Sequence, residues 1–332
     1  MESVYISIAG FSICTLAIIL SGVKLTKYGD AIAELTGLGK AWIGLVLMAS
    51  VTSLPELING ISSVAFLSQP DLAAGDIFGS CIFNLLILSL VDARIKKPLT
   101  SLLKSNHVFT GLAGIVLISV SGLAIVLRDI TPVLYWVSPF TIFIFLVYFL
   151  VVYGIFQHER LTELPFKPEE VAKQQKEQLR TVIKYYILNA FLVIAAAAFL
   201  PYFGEGIASH FGLGKTFFGT LFLATSTSLP ELVVSFVAIR MGSFDLLVGN
   251  LLGSNIFNIF ILGLDDLFYT KGSLFADIST DHLQTIMVVI IMTAVLGLGI
   301  MAKPTRKLWK LSLDTTIILL LYIGLMMVLY YG

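Results

Sequence analysis

The chain has 332 residues, 57% of them hydrophobic and only 13% charged, with a mean hydropathy of +0.94 and a formal net charge of zero. So little charge cannot cover the surface of a soluble domain of this length, which leaves an integral membrane protein. The two cysteines, Cys14 and Cys81, fall in apolar runs and make neither a disulfide framework nor a zinc site.

Windows of about 20 apolar residues predict ten transmembrane helices, at roughly 3–22, 40–66, 71–92, 107–127, 132–156, 183–203, 214–240, 244–265, 282–302 and 309–331. The first run, "VYISIAGFSICTLAIIL", lacks a basic leader and a small-residue cleavage pattern, so it reads as a span rather than a signal peptide. Between the fifth and sixth spans, "QHERLTELPFKPEEVAKQQKEQLR" mixes both charge signs and reads as a solvated loop with room for a partly helical stretch, too short for a regulatory domain. Of the 21 lysines and arginines, all but Arg128, Lys215 and Lys271 fall on one side of this layout. The richer side is expected to be cytoplasmic, with both termini outside.

The sequence repeats itself. A shift of 175 residues lays "GLGKAWIGLVLMASVTSLPEL" (37–57) on "GLGKTFFGTLFLATSTSLPEL" (212–232), and a shift of 174 lays "GDIFGSCIFNLLILSLVD" (75–92) on "GNLLGSNIFNIFILGLDD" (249–266). Each copy holds five predicted spans, an odd number, so the second enters the membrane from the opposite face. The expected architecture is therefore an all-α membrane protein of ten transmembrane helices in two inverted five-helix repeats. Residues 1–156 and 183–332 form the repeats and a cytoplasmic linker, 157–182, joins them. Secondary transporters place their site at the midplane between such copies.

Pro55 and Glu56 interrupt the second span, and Pro230 and Glu231 the seventh. A proline inside a helix removes a donor and frees the carbonyl one turn earlier, near Val51 and Thr52 or near Ser226 and Thr227. In the helices that follow, Ser80 and Asn84 share one face, as do Ser254 and Asn258. Glycines at positions 75, 79, 249 and 253 permit close helix approach. Four spans thus present carboxylates, amides, hydroxyls and carbonyls at similar depth, an all-oxygen set suited to hard cations such as Ca²⁺ and Na⁺. A carboxylate near the bilayer centre costs at least about 2.5–3.5 kcal/mol, and two facing each other repel. One Ca²⁺, two Na⁺ or two H⁺ would neutralise the pair. Asp92 and Asp266 match between the copies at span ends and read as solvated caps, while the role of Asp76, matched to Asn250, stays open.

These paired motifs resemble the calcium/cation antiporter superfamily, sodium/calcium exchanger type, whose alpha repeats read G-T/S-S-L-P-E and G-N-x-x-G-S-x-x-x-N/D. Here they stand as "VTSLPEL" with "GDIFGSCIFN", and "STSLPEL" with "GNLLGSNIFN". The resemblance implies ion ligation by Glu56 and Glu231 at the centre, with Ser80, Asn84, Ser254 and Asn258 around them. It also implies backbone carbonyls near Ala49, Thr52, Ala224 and Thr227, hydroxyls at Ser53 and Ser228, and spans 1 and 6 sliding as a gating pair against an eight-helix core. Four positions depart from the pattern: Val51 and Ser226 replace the usual glycine, Asp76 replaces the usual asparagine, and Asn258 stands where several members carry aspartate.

The expectation is a Ca²⁺ antiporter of the cell membrane driven by Na⁺ influx, with proton-coupled export as the alternative and a passive cation channel as a reading from another class. An intramembrane hydrolase lacks support, since no paired catalytic aspartates, Ser-His pair or zinc signature is present. No cofactor and no nucleic acid are expected; the partners are the transported ions and the lipid bilayer.

Overall fold

Helices account for the whole framework of the computed structural model, which describes residues 2–38, 40–162, 173–210 and 225–331. In chain order they are α1 (Glu2–Thr36), α2 (Lys40–Trp42), a π-helical turn (Ile43–Met48), α3 (Ala49–Thr52), α4 (Leu54–Ala65), α5 (Pro70–Asp92), α6 (Leu99–Leu102) and α7 (Asn106–Val126). There follow α8 (Pro139–Thr162), α9 (Lys173–His210), α10 (Leu229–Arg240), α11 (Phe244–Phe268), α12 (Leu274–Asp277), α13 (His282–Ala302) and α14 (Leu313–Tyr331). Among the described residues, seven helices are long and apolar enough to cross a membrane. A bent pair, Ile43–Thr52 with Leu54–Ala65, brings the number to eight when counted as one span, and Leu313–Leu329 is apolar but shorter. The first part of the predicted seventh span, 211–224, lies outside the described residues.

Two helices outrun their predicted spans. α1 has 35 residues and α9 has 38, because strong helix formers continue both beyond their apolar cores. The segment "KQQKEQLR" opens α9, so the stretch read as a solvated loop is helical on both flanks, from α8 up to Thr162 and from Lys173 onward. α1 packs along α9, and the contact has its own small core of Cys14, Ile18, Ala196, Ala197 and Leu200. Small side chains of this kind let two helices approach closely in lipid. The larger core runs through α4, α5, α7, α11 and α13, with α5 and α11 innermost: 78% and 83% of their apolar windows are buried, against 56% or less for the other spans.

Asp92 and Asp266 bind the two halves of the chain together. The Asp92 carboxylate accepts the Leu99 and Ser312 N–H groups and the Ser312 and Thr315 hydroxyls. Asp266 repeats the scheme 174 residues on, accepting the Leu274 and Ser138 N–H groups and the Thr141 hydroxyl at 2.5 Å. Each aspartate therefore caps the start of a helix from the opposite half, α14 or α8, satisfying donors that helix ends leave open. Both are fully buried, which corrects the solvated placement expected from their position at span ends. Lys307 reaches Asp92 at 2.8 Å.

The same register extends where sequence similarity is faint. Tyr135 and Trp309, both with positive φ (61° and 63°), close matching turns before α8 and α14. His107 pairs with Asp245 at 2.9 Å, and His282 with Asp71 at 3.3 Å. All four histidine and aspartate positions again obey the 174–175 spacing.

Candidate cation site

The SLPE segments form helix starts. In Ser53-Leu54-Pro55-Glu56 a serine stands at the N-cap, proline lies in the first turn and glutamate follows three residues after the serine, an arrangement that favours beginning a helix. Ser53 (φ −92°, ψ 7°) breaks the chain, and the segments on either side meet at 45°. Ser228 (φ −84°, ψ 8°) does the same before α10. The interruption expected at the prolines thus falls at Ser53 and Ser228 and opens a new helix N-terminus, placing Glu56 and Glu231 in positive first turns.

Neither serine caps its own helix. Ser53 Oγ instead donates to Glu231 Oε1 at 3.2 Å, and Ser228 Oγ donates to Glu56 Oε1 at 3.3 Å. Each glutamate accepts a second bond from the serine of the following helix in its own half: Ser80 to Glu56 and Ser254 to Glu231, both 3.2 Å. Both glutamates are fully buried, and in each the second oxygen, Oε2, has no hydrogen-bond partner. The Oδ1 atoms of buried Asn84 and Asn258 are likewise unpartnered. Four acceptor oxygens, one from each of α4, α5, α10 and α11, are therefore left unsatisfied in the interior, where an unmet polar atom costs free energy.

The flanking residues complete the ring. Thr52 Oγ1 lies 3.3 Å from Asn250 Oδ1 and 3.4 Å from Ser254 Oγ, while Thr227 Oγ1 donates to Asp76 Oδ1 at 3.1 Å. The Ala49 carbonyl accepts the Ser53 N–H at 2.9 Å and Thr52 Oγ1 at 3.4 Å, so local donors already engage it. Ala224 lies outside the described residues. Among the described residues no three His, Cys, Asp or Glu side chains gather as a metal cluster; the assembled donors are two carboxylates with amides and hydroxyls.

Close backbone packing holds the site. A methyl built on Gly253 would lie 2.6 Å from Leu45 Cα and O, and one on Gly44 would lie 2.5 Å from Leu246 O. α11 thus rests on the backbone of the π turn, and Tyr186 of α9 donates to the Leu47 carbonyl in that turn at 2.8 Å. Such π turns often accompany functional sites. Asn255 was not singled out from the sequence, because its counterpart in the first copy is Cys81. It accepts from Asn84 Nδ2 at 3.0 Å and donates to the Cys81 carbonyl at 3.1 Å, tying α5 to α11 where they cross.

A family model described as "Sodium/calcium exchanger protein" matches the chain twice, over residues 6–154 and 182–331. The chain belongs to this family. As a member of the sodium/calcium exchanger family it is a multi-pass membrane protein from a group of transporters, and its helical fold is that of a solved exchanger. The structure of the sodium-calcium exchanger NCX_Mj, soaked with Na⁺ and Sr²⁺, superimposes with a TM-score of 0.74 at 20% identity, covering 97% of this chain and 98% of that one. Among curated relatives, the putative antiporter CaxA of Alkalimonas amylolytica is 27% identical over 96% of this chain and 98% of its own length. The sodium/calcium exchanger MaX1 of Methanosarcina acetivorans is 35% identical over 42% of this chain and 40% of its own. Cation antiport of the exchanger type is the family's activity.

Proposed function

We propose that this protein exports Ca²⁺ in exchange for Na⁺ as a secondary active antiporter working by alternating access. The observation that carries the reading is the pair of fully buried glutamates, each held by one serine from either half and each with one oxygen unpartnered. Two buried negative charges require two positive ones, supplied equally by one Ca²⁺ or two Na⁺. A site that must be neutralised before it can cross, yet accepts different occupants, exchanges them.

Ca²⁺ takes about six to eight oxygen ligands. Glu56, Glu231, Asn84 and Asn258 are the first of them in this reading, followed by the hydroxyls of Ser53, Ser80, Ser228 and Ser254. The carbonyls of Ala49, Thr52, Ala224 and Thr227 serve the flanking positions. The frame is ten spans in two inverted repeats, 1–156 and 183–332, joined by a cytoplasmic linker at 157–182, with both termini outside the cell membrane. α1 and α9 act as the gating pair, a role supported by the small core they share beside the main one, against which Leu229 and Val233 of α10 also pack. The transported ions are substrates, and the reading invokes no cofactor.

The name of the Methanosarcina relative favours Na⁺ as counter-ion. Proton coupling is the second reading: with asparagine at both 84 and 258, the charge among these ligands rests on two glutamates that can themselves carry protons. In proteoliposomes, an imposed Na⁺ gradient without a pH gradient is expected to drive ⁴⁵Ca²⁺ uptake. Uptake under a proton gradient alone would replace the sodium version with the proton one. Unlabelled Ca²⁺ on the trans side should accelerate the flux; no acceleration would point to a pore.

A further inference from the structure

Among the described residues two buried acids, Asp314 at the start of α14 and Asp265, lack a hydrogen-bond partner on both oxygens, and Asp265 is the more deeply enclosed. Asp265, in α11, is fully buried and neither of its carboxylate oxygens has a hydrogen-bond partner. Its counterpart in the first half is Val91, so nothing in the repeat calls for a charge here. The carboxylate packs on the backbone of Gly60 in α4, where an added methyl would lie 2.5 Å from Oδ2. The residue before that glycine, Asn59, donates to Asp76 Oδ2 at 2.7 Å, and Asp76 lies within electrostatic reach of Asp265.

The position continues the candidate site outward. On α5, Asp76, Ser80 and Asn84 follow at four-residue steps on one face, and Asp265 stands seven residues past Asn258 on α11, two turns or about 10 Å along the axis. Both acids lie toward the membrane face at which α4 ends, α5 begins and α11 ends. Toward the other face the corresponding positions are the neutral Asn250 and Val91. Polar groups thus leave the centre in both directions, but only one of the two files ends in carboxylates.

Asp76 has donors on both oxygens, from Asn59 and Thr227. Asp265 has none. Its sequence neighbour Asp266 has its oxygens taken by α8 and Leu274, and the acid of α4, Glu56, stands one turn from Gly60 and is engaged by Ser80 and Ser228. An ionised carboxylate without donors or a counter-ion costs several kcal/mol in the interior, so the pair calls for one positive charge. We infer that Asp265 and Asp76 form a second, monovalent-cation site, taking Na⁺ or H⁺, between the central glutamates and one membrane face. Two carboxylates with few neutral oxygens fall short of what a divalent ion requires.

The inference rests on the chain's being a cation exchanger, and the test separates the two ideas. With Glu56→Gln and Glu231→Gln together, the central charge is removed, and failure of the exchanger reading would appear as Ca²⁺ binding that survives. In that background, thermal unfolding is followed while Na⁺ replaces choline at fixed pH, and separately while pH changes at fixed ionic strength. The double variant is expected to keep a cation-dependent rise in Tm that disappears on adding Asp265→Asn. A rise with Na⁺ assigns sodium, and a rise only with falling pH assigns the proton. No response in either arm, or a response that Asp265→Asn leaves intact, overturns the site. In the otherwise native chain, Asp265→Asn should lower the ratio of gradient-driven Ca²⁺ flux to Ca²⁺/Ca²⁺ counterflow by about tenfold, within the range of coupling energies between linked sites; an unchanged ratio would also overturn it. Should Asp265→Asn fold poorly, Gly60→Ala pushes a methyl against the same carboxylate and is expected to change the ratio in the same direction.

Discussion

Ser53 donates to Glu231 Oε1 at 3.2 Å although 178 residues separate the two in the chain. The bond has a mate, Ser228 to Glu56, so each half supplies a hydroxyl to the other half's carboxylate. A hydrogen bond to a charged group contributes about 1.5–3 kcal/mol. Ser53→Ala and Ser228→Ala are each expected to weaken Ca²⁺ binding by roughly ten- to a hundredfold and by similar factors. Isotherms of ⁴⁵Ca²⁺ binding measure this, and wild-type affinity in both variants would remove the crossed pair from the site.

Glu56→Gln and Glu231→Gln keep the size of each side chain and delete the charge. Each is expected to cut Ca²⁺ transport by about a hundredfold or more, because losing one partner of a buried charged group is worth about 3–5 kcal/mol. Folding should survive, as the serine bonds to Oε1 have neutral equivalents. Flux in proteoliposomes together with size-exclusion profiles checks both parts; either variant transporting at the native rate would rule out its glutamate as a ligand.

Gly253 rests on the backbone of Leu45, which cannot yield as a side chain can. Gly253→Ala should destabilise the protein by about 1–3 kcal/mol and depress transport by displacing the Ala49–Ser53 segment. Gly297, with nothing within 4 Å of an added methyl, is the control. Gly297→Ala should be neutral or slightly stabilising, since alanine suits helix interiors better. Equal Tm values for the two variants would contradict the packing argument.

Lys307 lies 2.8 Å from Asp92, which is itself fully buried, while the matching Asp266 is held by N–H groups and a hydroxyl. Lys307→Met removes the cation while four N–H and hydroxyl donors to Asp92 remain, and should cost about 1.5–3 kcal/mol. Adding Asp92→Asn should recover part of that loss, although Asn supplies fewer acceptors for the α14 cap. A double-mutant cycle of unfolding free energies in detergent reads the coupling; simple additivity would show that the pair does not act as one.

Much of the site was legible in the chain. The shift of 174–175 residues aligned Glu56 with Glu231, Ser80 with Ser254 and Asn84 with Asn258, and an intramembrane carboxylate already demands a reason. Asp92 and Asp266 were found by the same match but misplaced, because a span end in sequence looks like an exit to water. Asp265 went unnoticed beside Asp266, and Asn255 beside Ser254, since neither has a like residue in the first copy. Comparison of repeats detects what the halves share and passes over what one half alone has acquired.

The sequence by itself determined the membrane class, the repeated units and the identity of the central acids, because hydropathy and internal register are properties of the linear chain. It also carried the helix break, since a serine, a proline and a glutamate in that order specify a helix start wherever they stand. Only the tertiary structure decided that the cap serines turn to the opposite glutamates and that Asp92 and Asp266 clamp helices of the opposite halves. Those bonds join residues from 125 to 223 positions apart, and what fixes them is how α4, α5, α10 and α11 cross and where α8 and α14 pack against them. Packing, not local preference, chooses which acceptor each donor meets.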